Sequence, residues 1–202
     1  MTRTAAALIA ATAFATLAIT AASAQRPQTV RLTGTVEKLD GDVLTAKAPD
    51  GSTLKITLKS NVQVVGVVKA TVADIKAGSY IGSGAMPQAD GTQKAVEVHI
   101  FAESQRGTGD GHRPWTLPGS TMTNGEAGSA VAGVDGPVIT VKYKGGEKKI
   151  VVGPNTPIVR YEIGEKSELK PGAKIRITNA LKKPDGTFEA ARVNVGRGDV
   201  VP

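Results

Sequence analysis

Four short blocks of this chain recur in the same order with a nearly constant spacing, and that repetition limits the folds open to it more than any single residue does. Gly41-Asp42-Val43-Leu44-Thr45 returns as Gly136-Pro137-Val138-Ile139-Thr140, and Lys55-Ile56 with Leu58 returns as Lys149-Ile150 with Val152. Asp74-Ile75-Lys76-Ala77-Gly78 returns as Glu168-Leu169-Lys170-Pro171-Gly172. Asp90-Gly91-Thr92, with Ala95 and Val98, returns as Asp185-Gly186-Thr187, with Ala190 and Val193. The offset is 94 or 95 throughout. Tandem duplication is the natural origin of such a pattern, and two copies are too few for a solenoid. Each copy is therefore expected to form its own small domain, over residues 25–103 and 129–202, with residues 104–128 belonging to neither.

Within a copy the apolar residues alternate. Val30, Leu32 and Val36 are interleaved with Arg31, Thr33 and Glu37; Leu54, Ile56 and Leu58 with Lys55 and Thr57; Val96, Val98 and Ile100 with Glu97, His99 and Phe101. A period of two broken by Asp-Gly and Gly-Gly dipeptides describes half-buried antiparallel strands joined by tight turns, and it places His99 on the outward side of its strand. One element departs from this. Thr71 to Gly78 carries a hydroxyl cap, an acid three residues on and a closing glycine, the start and stop signals of a short helical turn; Ser167 to Gly172 holds the same place in the second copy. Three strands, a short helix and two strands is the order of a five-stranded OB-type barrel. The fold class expected is all-β, two tandem small OB-like β-barrels.

The N-terminus predicts the compartment. Arg3 precedes an uncharged Ala/Leu/Thr-rich run from Ala5 to Ala22, and Ala22-Ser23-Ala24 supplies the small residues of a cleavage site. That is the pattern of a secretory signal peptide over residues 1–24, with a mature chain from about Gln25 and a periplasmic or secreted destination. Later apolar stretches are short and interrupted by charge or glycine, so an integral membrane protein is not expected. The chain has no cysteine, which removes disulfides, thiolate metal sites, lipoprotein anchoring and cysteine nucleophiles together.

The segment between the copies reads Ser104-Gln-Arg-Gly-Thr-Gly-Asp-Gly-His-Arg-Pro-Trp-Thr-Leu-Pro-Gly-Ser-Thr-Met-Thr-Asn-Gly-Glu-Ala-Gly128 and holds the only tryptophan, Trp115. A flexible linker has no use for its one indole, so an ordered connection packed between the barrels is expected. Its Gly-His-x-Pro-Trp and Pro-Gly-Ser-Thr-Met-Thr-Asn pieces resemble a family of exported bacterial proteins of unknown function. The flanking copies are similar to a domain of unknown function with OB-like architecture. The resemblance covers most of the mature chain; it implies an envelope location and tandem barrels, and no catalytic residues.

Candidate chemistry gathers in two places. Asp110, His112, Arg113 and Trp115 in the central segment form the expected ligand or partner site. Asp110 and His112 are spaced to reach one cation, but two ligands fall short of the usual three or four, so no metal or cofactor is specified. Gly107, Gly109 and Gly111 offer backbone amides to an anion, or simply make turns. The second place is basic: residues 129–202 carry 13 Lys+Arg against 8 Asp+Glu, whereas residues 25–103 carry 9 against 8. Strand alternation puts Lys142, Lys144, Lys174, Arg176 and Arg192 outward as a surface for an anionic envelope component or an acidic protein partner. Nucleic acid is disfavoured, because export and the scarcity of aromatics both speak against a stacking platform. With two histidines and no acidic cluster that stands out, no nucleophile–base arrangement is marked, and an enzyme is not expected. The function expected is a non-enzymatic binding or interaction module of the cell envelope; the alternatives are a structural envelope protein or a metal-binding protein using the central segment.

Overall fold

The computed structural model describes residues 29–202; the expected signal peptide lies outside them. Twelve strands follow in order: β1 (Thr29–Asp40), β2 (Val43–Lys47), β3 (Thr53–Lys69), β4 (Tyr80–Pro87), β5 (Gln93–Ile100), β6 (Gly111–Pro114), β7 (Thr121–Ala127), β8 (Val138–Tyr143), β9 (Gly146–Val151), β10 (Ile158–Ile163), β11 (Lys174–Lys182) and β12 (Phe188–Gly196). Single 3-10 turns at Val72–Asp74 and Lys166–Glu168 occupy the places predicted for short helices. In the first, the Asp74 carboxylate accepts hydrogen bonds from Thr71 N and Oγ1, both at 2.8 Å. The fold is all-β and barrel-forming, as expected.

Two five-stranded rings result. The first runs β1-β2-β3-β12-β11 and back to β1, with every contact antiparallel except β3–β12. The second runs β7-β8-β9-β5-β4 and back to β7, again with one parallel contact, where Gln93 and Lys94 face Ile150 and Val151. The second ring is built from a continuous stretch, whereas the first takes three strands from the beginning of the chain and two from its end. The division expected at residues 104–128 is therefore not where the barrels part. The chain passes from one ring to the other after β3 and returns after β9, and each ring combines strands from both sets of recurring blocks.

The cores follow the rings. Leu44, Ile56, Ile177 and Val193 fill the first, and Ile81, Val98, Ile139 and Ile150 fill the second. Each 3-10 turn ends by dropping one aliphatic side chain into a ring: Leu169 into the first and Ile75 into the second, both buried. In β5 the predicted inward run Val96-Val98-Ile100 is displaced at its start. A bulge opposite Gly84 and Ala85 puts Ala95, rather than Val96, in line with Val98.

A seam joins the rings. β10 belongs to neither; it lies antiparallel to the second half of β3, Tyr161 facing Val67, and parallel to β5, Val159 facing His99. β3 is 17 residues long and its register against β12 slips between Leu58 and Gln63, so one strand bends to serve both barrel wall and seam. The equivalent place in the second half carries Gly153-Pro154-Asn155, which ends β9 and leaves β10 as a separate strand. Arg197 closes the seam from above. Its Nε and Nη2 donate to the two oxygens of Glu168 at 2.8 and 2.9 Å, and its guanidinium lies where a side chain at Gly66 would stand.

Strand origin is directly testable. A fragment spanning residues 70–157 is expected to fold alone, giving dispersed amide resonances and cooperative melting. Residues 29–103, which contain no complete ring, are expected to remain unfolded. A folded 29–103 fragment would contradict the ring composition described above.

Candidate functional site

The central segment is ordered, and its side chains are largely committed to ring two. Gly107, Gly109 and Gly111 have φ of +85°, +58° and +127°, and the amides of Thr108 and Asp110 donate to Gln105 O and Gly107 O. The glycines thus make turns, and those two amides are not presented to an anion. Asp110 Oδ1 accepts from Lys144 N at 2.7 Å and its Oδ2 from the Tyr80 hydroxyl at 3.3 Å. Burial and that carboxylate push the Tyr80 phenol up to about 12. His112 Nδ1 lies 2.8 Å from Thr123 Oγ1, and its ring stacks on Tyr143; burial, with Lys148 nearby, lowers its pKa. Arg113 donates to Gly109 O at 2.7 Å.

Trp115 lies flat on β4. A Cβ at Gly84 would stand 2.5 Å from its indole, and one at Gly82 would meet the His99 ring and the Asn124 amide. Glycine at these two positions is what lets an indole and an imidazole rest on the outer wall of the ring, and it explains why Tyr80 to Ala85 are buried on both faces of the strand. Asp110 and His112 go to separate partners, so the pair does not converge on a cation. Among the described residues there is no group of three His, Cys, Asp or Glu suited to a metal.

The predicted basic surface divides in two, because β8 belongs to one ring and β11 and β12 to the other. Lys142 and Lys144 join Asp110, Tyr80, Arg106 and Tyr143 around an open cleft of about 530 Å³. Arg106 there is already held by Glu103 and by Gly78 O. On the first ring, Lys174 donates to Thr35 Oγ1 at 2.7 Å, and Arg176 and Arg192 turn toward the seam.

The seam holds the most unusual electrostatics of the molecule. His99 does face away from its barrel core, but that side is the seam rather than solvent, and the residue is 8% exposed. Its ring stacks on Tyr161 at 5.1 Å and meets Phe101 edge-on at 4.8 Å. The Arg192 guanidinium sits 5.6 Å from the centre of the Tyr161 ring, and its Nε donates to Asn194 Oδ1 at 3.1 Å. Arg176 faces Asn194 in register, yet its Nε is buried without an acceptor. Glu97, His99, Tyr161, Arg176 and Asn194 line one cavity of about 200 Å³. Burial, reinforced by the charges of Arg192 and Arg113, pushes His99 down to about 4, so it is neutral at physiological pH. Burial raises Glu97, against the pull of Arg176 and Arg31; burial and then the Glu97 charge raise Tyr161. Desolvation lowers Arg192.

Sequence reasoning had Arg176 and Arg192 but not Glu97, Tyr161 or Asn194. One signal was there to be used: Asn194 stands 95 residues after His99, at the same place in the closing strand of its ring. Two polar residues at matching positions between buried aliphatic neighbours, Val98 and Ile100 in one strand and Val193 and Val195 in the other, mark a shared surface. Comparison with known proteins finds no matching family model, no matching curated protein and no matching solved structure.

Two outcomes follow from this geometry. Gly84→Ala is expected to lift the indole and destabilise the protein by about 1–3 kcal/mol, as overpacking does. Because Trp115 is the only tryptophan, a red shift of its emission reports the change directly, and unaltered emission would place the indole elsewhere. His99 is neutral in the folded state and titrates near 6.5 when unfolded. The unfolded chain therefore binds the extra proton, and stability falls as pH drops from about 6.5 to about 4. The loss amounts to about 3 kcal/mol from this group. His99→Gln is expected to flatten that part of the stability–pH curve; an unchanged curve would show that His99 is not held neutral.

Proposed function

We propose that this chain is an exported, non-enzymatic binding module of the cell envelope, made of two OB-like barrels derived from a duplicated segment, and that its seam binds a small anion. The observation that carries the proposal is the state of the seam arginines. Arg176 Nε is buried and has no acceptor, and Arg192 is desolvated against a tyrosine ring and an amide oxygen. Neither forms an ion pair with an acid among the described residues. A guanidinium removed from water without a counter-charge is costly, and a bound carboxylate or phosphate offsets that cost by bidentate hydrogen bonding. Perturbed groups converging on a cavity are the general mark of a binding site.

The OB-like reading is supported by the ring order, which is the same in both barrels with a single parallel contact, and by the aliphatic plug that each short turn supplies. Duplication is supported by the way the recurring blocks fall at matching places in the two rings. Export rests on the N-terminal sequence pattern. Among the described residues no helix is long and apolar enough to cross a membrane. Nucleic acid remains disfavoured, since both faces of Tyr161 are covered, by His99 and by Arg192. Neither histidine serves as a general base here: His99 is too acidic a conjugate acid to work near neutrality, and His112 is tied to Thr123. In this reading the central segment is a structural brace, and the binding chemistry lies in the seam.

The test is native mass spectrometry of the protein purified without chelator, followed by thermal shift in acetate and in phosphate. A co-purifying anion, or an anion-dependent rise in Tm, that disappears in Arg176→Gln is the expected result. A wild-type protein with a clean apo mass and no response to either anion at millimolar concentration would overturn the proposal.

A further inference from the structure

The seam cavity presents two opposite charges that do not meet. Arg176 and Glu97 both line its wall. Among the described residues, the buried Arg176 Nε has no acceptor, and Glu97, its side chain 34% exposed, has no basic partner within 4 Å except the neutral His99 imidazole. His99 Nδ1 lies 3.9 Å from the Glu97 carboxylate, but that imidazole is neutral near pH 7 and forms no ion pair with it. No ion pair joins Glu97 to Arg176, although the charge of Arg176 is felt at Glu97. Opposite charges in a half-buried space attract, and side chains this long have the reach to close a short gap. Here they are held apart by elements that cannot slide: Glu97 by the β5–β4 ladder and Arg176 by its pairing between Thr33 and Asn194. The gap is preformed.

Resting on the anion-binding reading, we infer that the cavity is a site for a small zwitterion, an α-amino acid or a close analogue, with its carboxylate on Arg176 and its ammonium on Glu97. A simple anion satisfies Arg176 and leaves Glu97 without a donor; a simple amine does the reverse. A zwitterion satisfies both and adds no net charge to the half-buried site. Asn194 and Tyr161 also line the cavity and carry polar groups of their own. Size restricts the ligand too. At about 200 Å³ the cavity is below the range of about 300–1,000 Å³ typical of drug-sized ligands, so the occupant has few heavy atoms.

Three probes of one carbon skeleton separate the possibilities: alanine, propionate, which lacks the ammonium, and ethylammonium, which lacks the carboxylate. Calorimetric titration of the full chain at pH 7 is expected to show alanine binding about tenfold or more tighter than propionate, the worth of one charge-assisted hydrogen bond, and ethylammonium binding more weakly still. Glu97→Gln is expected to abolish the preference for alanine, with propionate binding at least as tightly as it does to the wild type because the neighbouring negative charge is gone. Arg176→Gln, checked for an unaltered circular dichroism spectrum, is expected to lose both. If propionate binds the wild type as tightly as alanine, the zwitterion assignment falls and the anion reading stands. If alanine keeps its advantage in Glu97→Gln, the role given to Glu97 is wrong. If none of the three binds the folded wild type, the zwitterion assignment falls, and the response to acetate and phosphate decides the anion reading separately.

Discussion

The second half of β3 is hydrogen-bonded along both edges, to β12 through Gln63–Val67 and to β10 through Val65–Lys69. The rest of the molecule depends on that double pairing. On one edge it closes the first ring, because β12 is the strand that completes the circuit back to β11 and β1. On the other it carries the sheet over into the second ring, because β10 lies against β5. A strand inside a sheet cannot lose a partner on either side without stranding backbone donors and acceptors. Barrel closure and barrel orientation are thus held by the same hydrogen bonds. Gly66 sits in the middle of this strand, and its missing side chain is what admits the Arg197 guanidinium and its clamp on Glu168.

The outer faces of the rings are put to different uses. In the second ring the outer wall of β4 is covered by the chain's own central segment, with Trp115 and His99 resting on glycines. In the first ring the outer wall near β11 and β12 is left to face the seam, and it is there that charge accumulates without full compensation. A polar group buried in a folded protein is normally paired. Gln105 Oε1 and Asn124 Oδ1 of the central segment are also buried without a partner, but they are neutral amide oxygens; Arg176 Nε belongs to a charged group, and that difference is the physical reason for placing binding in the seam.

Much of this was legible in the sequence and some could not be. Alternation located Leu54-Ile56-Leu58 and Ile139-Val141 as wall strands, and Thr71-Asp74 as a capped turn, because those signals are local. The single indole marked residues 104–128 as ordered. Which copy pairs with which was not legible. When two segments share one hydrophobic pattern, pairing within a copy and pairing between copies satisfy the same local rules, and only the geometry of the crossings after β3 and β9 separates them. His99 shows the same limit. Its side of the strand was read correctly, but whether that side meets water or a neighbouring barrel is a tertiary fact. The basic residues were found singly, and their division between two sites followed from the crossing.

The continuity of the second ring has a consequence for the order of events during synthesis. As the chain emerges from its N-terminus, β1, β2 and β3 appear first, with hydrophobic faces and free edges and no partner for closure. The second ring then emerges whole and has all of its strands well before β11 and β12 exist. The inner domain has its full set of contacts first, and the outer one waits for the last thirty or so residues to supply its missing wall. Non-local closure of this kind is slow and leaves strand edges open in the interval. The early three strands are the part of the chain most in need of protection, and the finished second ring supplies a nearby scaffold, through β10, against which the late strands are guided home.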